Sequence, residues 1–263
     1  MALSNVITGS VADGAVPEVR RIGVGDIGAA LRAGLDDFLA MPSHAFFLVV
    51  IYPVLGLVLG RLVYGTAVLP LLFPLIAGFA LLGPIAALGL YELSRRREQK
   101  LDTAPVHVLD IRHSPSFGAI IALGLLLMVI FLCWLATAHA IYVATFGYAA
   151  AASMPDFLGR VLTTQEGWTL IVVGNLVGFL FAVLVLAISV VSFPLLLDRD
   201  VGAATAMLTS LKAVLANPGP MALWGVIVAA LLVLGTLPFF LGLAVVLPVL
   251  GHATWHLYRR IVV

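Results

Sequence analysis

Six stretches of this chain are apolar over the length that a helix needs to cross a bilayer, about 20 residues for roughly 30 Å of hydrocarbon. Marked by where charges stop and start, they lie near Ser43–Gly60, Ala67–Tyr91, Phe117–Phe146, Trp168–Leu197, Met221–Thr236 and Pro238–Tyr258. The last two share one apolar run from Met221 to Leu250. At about 1.5 Å per residue that run is too long for a single crossing, and it divides at Gly235-Thr236-Leu237-Pro238. Composition agrees, with 62% hydrophobic and 10% charged residues against about 25% charged in an ordinary soluble domain. Too little polar surface remains to coat a water-facing globule, so the expected class is an all-α membrane protein.

Orientation follows from the basic residues in the loops. With both termini inside, the inner segments hold Arg20, Arg21, Arg32, Arg95, Arg96, Arg97, Lys100, Arg112, Arg199, Lys212, Arg259 and Arg260, and the outer segments hold only Arg61 and Arg160. That bias requires an even number of spans. The expectation is a six-span, multi-pass bundle built from three helical hairpins, with both termini cytoplasmic. The lipid bilayer, together with other membrane proteins or further copies of itself, would be its partner.

Met1 to Val19 shows neither the basic start nor the apolar core of a secretory leader. Residues 1–22 read as a flexible cytoplasmic tail and 23–263 as the membrane domain. Near 24–40, Val24, Ile27, Leu31, Leu35, Phe38 and Leu39 share a helical face, with Asp26, Arg32, Asp36 and Asp37 elsewhere around it; this is an amphipathic helix for the cytoplasmic membrane surface. The device recurs near 201–217 with Ala204, Leu208, Leu211 and Leu215. The two copies align without a gap, Ala30, Leu35, Leu39, Ala40 and Pro42 matching Ala206, Leu211, Leu215, Ala216 and Pro218. Leu90-Tyr91 before Arg95 and Leu257-Tyr258 before Arg259 echo each other as well, which suggests parallel stacked hairpins. Between Gly147 and Gly167, Pro155 to Leu162 reads as a short surface helix on the other side.

Chemistry-bearing constellations are few. A net charge of +1 offers no basic surface for nucleic acid. The single Cys133 excludes an internal disulfide or a cysteine metal cluster. His252 and His256 lie one helical turn apart, and His44 opens the first span at the same inner level, so these three form the metal candidate. Trp255 and Tyr258 beside them fit an interfacial aromatic belt. His139 and His252 stand roughly 18 Å apart in depth by helix rise, too far to share one haem. Acidic residues sit at span ends or in loops, which argues against proton-coupled transport. No Ser-His-Asp arrangement, phosphate loop or dinucleotide fingerprint is visible, so neither an enzyme nor a cofactor is expected. Gly83 and Pro84 in the second span, Pro194 in the fourth and Asn175 within the fourth mark sites of close packing or partner contact. The alternative for Pro84 and Pro194 is a pair of broken helices exposing carbonyls to a solute.

Three motifs, Leu82-Gly83-Pro84 through Leu90-Tyr91-Glu92-Leu93-Ser94-Arg95-Arg96, Ser192-Phe193-Pro194-Leu195-Leu196-Leu197-Asp198-Arg199-Asp200-Val201, and Leu250-Gly251-His252-Ala253-Thr254-Trp255-His256-Leu257-Tyr258-Arg259, resemble a family of predicted bacterial integral membrane proteins, domain of unknown function 2189. The likeness extends over most of the chain from Val24 onward. The family carries no established activity, substrate or cofactor, and some members bear labels linking them to cytochrome c oxidase. With charge absent from the span interiors, no catalytic constellation and small-residue faces suited to close helix contacts, the expected function is a non-catalytic accessory, assembly or structural subunit of a larger membrane complex, and the resemblance leaves a place beside a respiratory complex open. A carrier or channel for an apolar or zwitterionic solute or lipid is the alternative. Asp198, Arg199, His252 and His256 carry over as motif positions alone.

Overall fold

The computed structural model describes residues 17–41, 71–148, 154–237 and 241–263, with Val6 and Gly56 besides. Among them the regular structure is helical: α1 Val24–Ala40, α2 Leu72–Phe79, α3 Gly83–Ala86, α4 Leu88–Glu98, α5 Phe117–Phe146, α6 Met154–Thr163, α7 Gln165–Ser189, α8 Ser192–Asp198, α9 Ala203–Ala216, α10 Pro218–Thr236 and α11 Leu243–Ile261. Short 3-10 segments cover Ala80–Leu82 and Pro105–His113.

Among the described residues, four helical stretches are long and apolar enough to cross a membrane: Phe73–Glu98, Phe117–Phe146, Gln165–Asp198 and Pro218–Thr236. They correspond to the second to fifth expected spans, and α5 coincides with its expected range. The first expected span, Ser43–Gly60, lies outside the described residues apart from Gly56. The sixth expected span overlaps α11, which is not one of these four: its second half carries His252, His256, Arg259 and Arg260 and is largely buried in protein. The long apolar run does divide as its length required. Gly235 and Gly242 abut so closely that a Cβ on Gly242 would stand 2.9 Å from the Gly235 Cα, and α10 and α11 are separate helices packed on each other.

The chain forms two compact units. One comprises Met1–Tyr52, Pro84–Gly124 and Leu186–Val263. Its core holds Ile27, Leu93, Phe193, Leu195, Trp224, Trp255, Leu257 and Tyr258, each at most 1% exposed. Here α11 is the central element, with α1, α4 and α10 packed on it, and α8 packed on α9. Of the stretch expected as a tail, Pro17–Ile22 runs extended against the C-terminus. Val19 bridges Val262, Arg20 N–H donates to the Ile261 carbonyl at 2.9 Å, and Asn217 Oδ1 accepts the Ile22 N–H at 2.7 Å.

The amphipathic faces are rotated from their expected position. In α1 the residues packed into protein are Ile27, Ala30, Gly34 and Asp37, while Leu35 and Leu39 face outward. In α9 they are Ala203, Ala206, Thr209, Ser210 and Ala213, and Leu208, Leu211 and Leu215 face outward. Small residues go inside because they allow closer helix approach, and the leucines are left for the exterior. The expected repeat reappears in burial: Ile27, Ala30, Gly34, Asp37 and Met41 align with Ala203, Ala206, Ser210, Ala213 and Asn217, and all ten are buried.

The other unit comprises Pro53–Gly83 and Leu125–Val185. Trp134 anchors it, its indole N–H donating to the Pro74 carbonyl at 2.8 Å and its ring 5.7 Å from that of Phe181. Gly78 and Gly178 make room for the indole, since a Cβ on Gly78 would fall 2.5 Å from Trp134 Cδ1. The expected surface helix is α6. Its Phe157 meets the rings of Tyr142 and Phe146, and Arg160 lies over Phe146 at 4.8 Å. Leu132, Val172, Leu176, Phe179 and Leu180 are all more than half exposed, as lipid-facing or partner-facing side chains are.

Candidate functional site

Two close approaches build the most polar part of the buried interior. Gly34 of α1 lies directly on α11, where a Cβ would come within 2.5 Å of the Ala253 nitrogen. Gly251 lies on α4, where a Cβ would come within 2.6 Å of Leu90 Cδ1. One turn beyond Gly34 stands Asp37, and His252 and His256, four apart on α11, share the face that meets it. Ser94 and Arg97, three apart on α4, complete the group.

Asp37 is the centre. Its Oδ2 accepts hydrogen bonds from Ser94 Oγ at 2.5 Å and His256 Nε2 at 2.8 Å, and its Oδ1 accepts one from Arg97 Nη1. An ionised carboxylate offers only acceptor sites, so His256 carries a proton on Nε2 and the Ser94 hydroxyl proton points at Asp37. Ser94 Oγ must then accept from His252 Nδ1, 2.7 Å away, which fixes the proton of that ring on Nδ1. Asp37 is 2% exposed, and Ser94 and His252 are 0% exposed. Burial pushes the Asp37 carboxyl up, but the bonds from His256, Ser94 and Arg97 outweigh it and hold the group below the ordinary carboxylate value.

Contrary to the expectation from sequence, Ser94, His252 and Asp37 do form a serine, histidine and aspartate arrangement. Its polarity is the reverse of a nucleophilic triad, in which imidazole takes the hydroxyl proton and carboxylate orients the imidazole. Here the carboxylate takes the hydroxyl hydrogen bond and the imidazole donates to the oxygen, so the serine lone pair is engaged and its Oγ is sealed from solvent. What the group does chemically is let one buried negative charge tie α1, α4 and α11 together.

A second polar layer joins α4 and α11 to Asp198 at the end of α8. Tyr258 Oη donates to Asp198 Oδ2 at 2.6 Å, where Arg259 Nη1 also donates at 3.3 Å. Trp255 Nε1 donates to Glu98 Oε2 at 3.0 Å, and Arg259 Nε reaches Glu98 Oε1 at 3.1 Å. Arg95 grips Glu92 through two bonds of 2.8 Å. Trp255 and Tyr258 are each 1% exposed, so they are core side chains with satisfied polar tips and not an interfacial belt. Arg199 Nη2 donates to the Val263 carbonyl at 2.8 Å.

Of the proposed metal ligands, His44 lies outside the described residues, and His252 and His256 converge on Ser94 and Asp37. Among the described residues, no three histidine, cysteine, aspartate or glutamate side chains are grouped to hold a metal ion. Pro194 follows a break at Val190-Val191, where the freed Val191 N–H is taken up by Ser210 Oγ at 3.2 Å. Val191, Ser192 and Phe193 are all 0% exposed, so this break is packed shut. Around Gly83 a Cβ would meet nothing within 4 Å, and Pro84 beside it in α3 is half-buried. Asn175 is exposed on α7, with Nδ2 donating to the Ile171 carbonyl of its own helix at 2.7 Å.

Asp37, Ser94 and Arg97 were not legible as site residues. Asp37 reads as the solvent side of an amphipathic helix, and Ser94 and Arg97 as the polar end of a span. The available signal was Gly34 three residues before Asp37, because a glycine on a helix face marks where another backbone comes close and thus which face is buried.

A family model for predicted integral membrane proteins, DUF2189, matches residues 71–198. No curated protein and no solved structure matches the chain. The matched range is narrower than the resemblance from Val24 onward: it includes Ser94 and Arg97 and leaves Asp37, His252 and His256 outside. The chain carries the features of an integral membrane protein with several membrane-crossing helices.

Proposed function

We propose that this chain is a non-catalytic accessory or assembly subunit of a larger complex in a bacterial inner membrane, with six spans and both termini cytoplasmic. The observation that carries the reading is Asn175. Its amide stands exposed within an apolar span, on a helix where Val172, Leu176 and Phe179 are each about 60% exposed. A side-chain amide facing hydrocarbon is unfavourable, and amides within spans bond across to neighbouring helices. Its Nδ2 already donates to the Ile171 carbonyl of its own helix, and a partner helix would satisfy the second N–H and the amide oxygen. The buried polar group at Asp37 supports the same reading from the other direction, since its bonds are spent on holding helices together. The basic residues of the inner loops support the orientation.

The test is mass spectrometry of what co-purifies with the tagged protein, expressed from its own chromosomal locus and extracted in mild detergent. Stoichiometric recovery of other membrane subunits is expected, and Asn175→Leu should reduce it several-fold while leaving the protein folded. Recovery of the protein alone, or a partner indifferent to Asn175→Leu, removes the reading.

A further inference from the structure

After α4 the chain turns through Lys100 at φ 57° and enters the 3-10 helix Pro105–His113. With three residues per turn, side chains three apart stack into columns, and each column has a distinct environment. Val108 and Ile111 are half-buried, Val108 lying in the space left by Gly89 of α4, where a Cβ would come within 2.5 Å of Val108 Cγ1. Val106 and Leu109 point outward, 64% and 59% exposed, followed in their column by Arg112. The third column is His107, Asp110 and His113.

His107 lies between two carboxylates. Its Nδ1 is 2.7 Å from Asp110 Oδ2 and its Nε2 is 2.9 Å from Asp102 Oδ2. Both oxygens can only accept, so both ring nitrogens must carry protons and the ring is an imidazolium; neutral imidazole could keep one of these bonds and not both. The remaining charged groups around it are few. Arg96 of α4 donates through Nη1 to Asp110 Oδ2 at 3.3 Å and through Nε to the Asp102 carbonyl at 2.6 Å, with Glu92 of α4 behind it at 3.9 Å. His113 Nδ1 is 3.9 Å from Asp110 Oδ1. Asp102 also accepts the Ala104 N–H at 3.1 Å, so it shapes the turn that leads into the 3-10 helix.

We propose that His107 is a proton-operated clip: as the imidazolium it joins Asp102 of the preceding turn to Asp110 and holds the 3-10 helix against that turn, and on losing a proton it releases one carboxylate and loosens the segment. The inference is independent of the subunit reading above. The bonds to Asp110 and Asp102 raise the His107 pKa above its ordinary value, against the opposing Arg96 charge. The bond from His107 likewise lowers the pKa of both Asp102 and Asp110. A histidine whose folded pKa is raised contributes fully below its unfolded value of about 6.5, and that contribution is lost as pH rises through the folded value. For the aspartates it is present above about 3.9 and lost as pH falls through their lowered values. The clip is therefore closed through the mildly acidic range and opens on the alkaline side of 6.5.

Two measurements test it on the intact protein in detergent micelles. The His107 ring titration, read by carbon-13 NMR and assigned among the six histidines by the peak lost in His107→Gln, should have its midpoint above that of a free imidazole; a midpoint at or below it overturns the proposal. Hydrogen exchange read by mass spectrometry should show the amides of residues 106–113 about tenfold better protected in the wild type than in His107→Gln at pH 6, the ratio falling towards one at pH 9. Equal exchange in the two proteins at pH 6, or a ratio that pH does not change, overturns it as well. The wild-type titration stands even if the variant folds poorly.

Discussion

Asp37 and Asp110 each accept a hydrogen bond from a histidine and another from an arginine of α4, Arg97 in one case and Arg96 in the other. The bonds are alike and the surroundings are not. The Asp37 side chain is 3% exposed and that of Asp110 is 38% exposed. Adjacent arginines on one helix thus serve a buried charge and a surface charge, and the comparison separates what a hydrogen-bonded ion pair does from where it does it. In the interior, removing one partner leaves the others desolvated and unsatisfied. At the surface, water replaces whatever is lost, and what remains of value is the dependence on pH.

The largest effect should come from Asp37→Ala. It leaves the Ser94 hydroxyl and the His256 ring without their acceptor and Arg97 without its counter-charge. Loss of one member of a buried pair costs about 3–5 kcal/mol; Arg97 keeps access to water, its side chain being 41% exposed, which places the expectation near the lower end. The unfolding midpoint in detergent should fall accordingly. A change within error would mean that the group contributes nothing to holding α1, α4 and α11 together.

Next is Gly34→Val, which tests the close approach that creates the site. Its Cβ would collide with the Ala253 backbone at 2.5–2.7 Å, and backbone cannot rotate aside as a side chain can. Overpacking of this kind costs roughly 1–3 kcal/mol. The same substitution at Gly28, where nothing lies within 4 Å, should cost nothing, because valine is a slightly better helix former than glycine. Equal losses at the two glycines would remove the reason given for the burial of Asp37.

Ser94→Ala should cost about 1–2 kcal/mol, since Asp37 loses one of its donors and His252 loses its acceptor while the site keeps its charge balance. The pH dependence of the buried group is sharper. The Asp37 carboxyl is held below its ordinary value, so its stabilisation is present above about pH 3.9 and lost as pH falls through the folded value. The stability gap between wild type and Asp37→Asn should therefore stay level from pH 7 to pH 5 and narrow only below about 4. A gap that closes between pH 7 and 5 would show that the carboxylate takes up its proton earlier than its partners allow.

Much of this molecule is written in local patterns. The ranges of α1 and α5 follow from helical periodicity and from the absence of charge, and the α10–α11 division follows from bilayer thickness acting on an over-long apolar run. The repeat was visible in Ala30, Leu35 and Pro42 against their counterparts, though the leucines suggested the wrong buried face. Periodicity finds an apolar stripe and cannot tell which medium it meets; here the leucines are left exposed and protein takes Gly34 and Ala30. The same ambiguity hid the Asp37 group, which depends on partners 57 and 219 residues away. The surface group, by contrast, is nearly all local, since Asp102, His107 and Asp110 fall within nine residues. It is not legible there because side chains of a 3-10 helix repeat every three residues, a spacing that the helical period of 3.6 and the strand period of 2 do not pick out.

The smallest effect expected is that of His107→Gln on global stability: no measurable shift of the unfolding midpoint. Its ring is 24% exposed and its aspartate partners are 69% and 38% exposed, so water can replace the lost bond, and glutamine can still donate one of the two from the same place. The contrast with Asp37→Ala is then complete, because one histidine–aspartate group changes stability and the other changes the local opening of a single segment. A drop in midpoint comparable to that of Ser94→Ala would mean that the 3-10 helix is part of the cooperative core and not an element resting on it. In that case local exchange at residues 106–113 would track global unfolding, and proton release from His107 would loosen the whole unit containing α4.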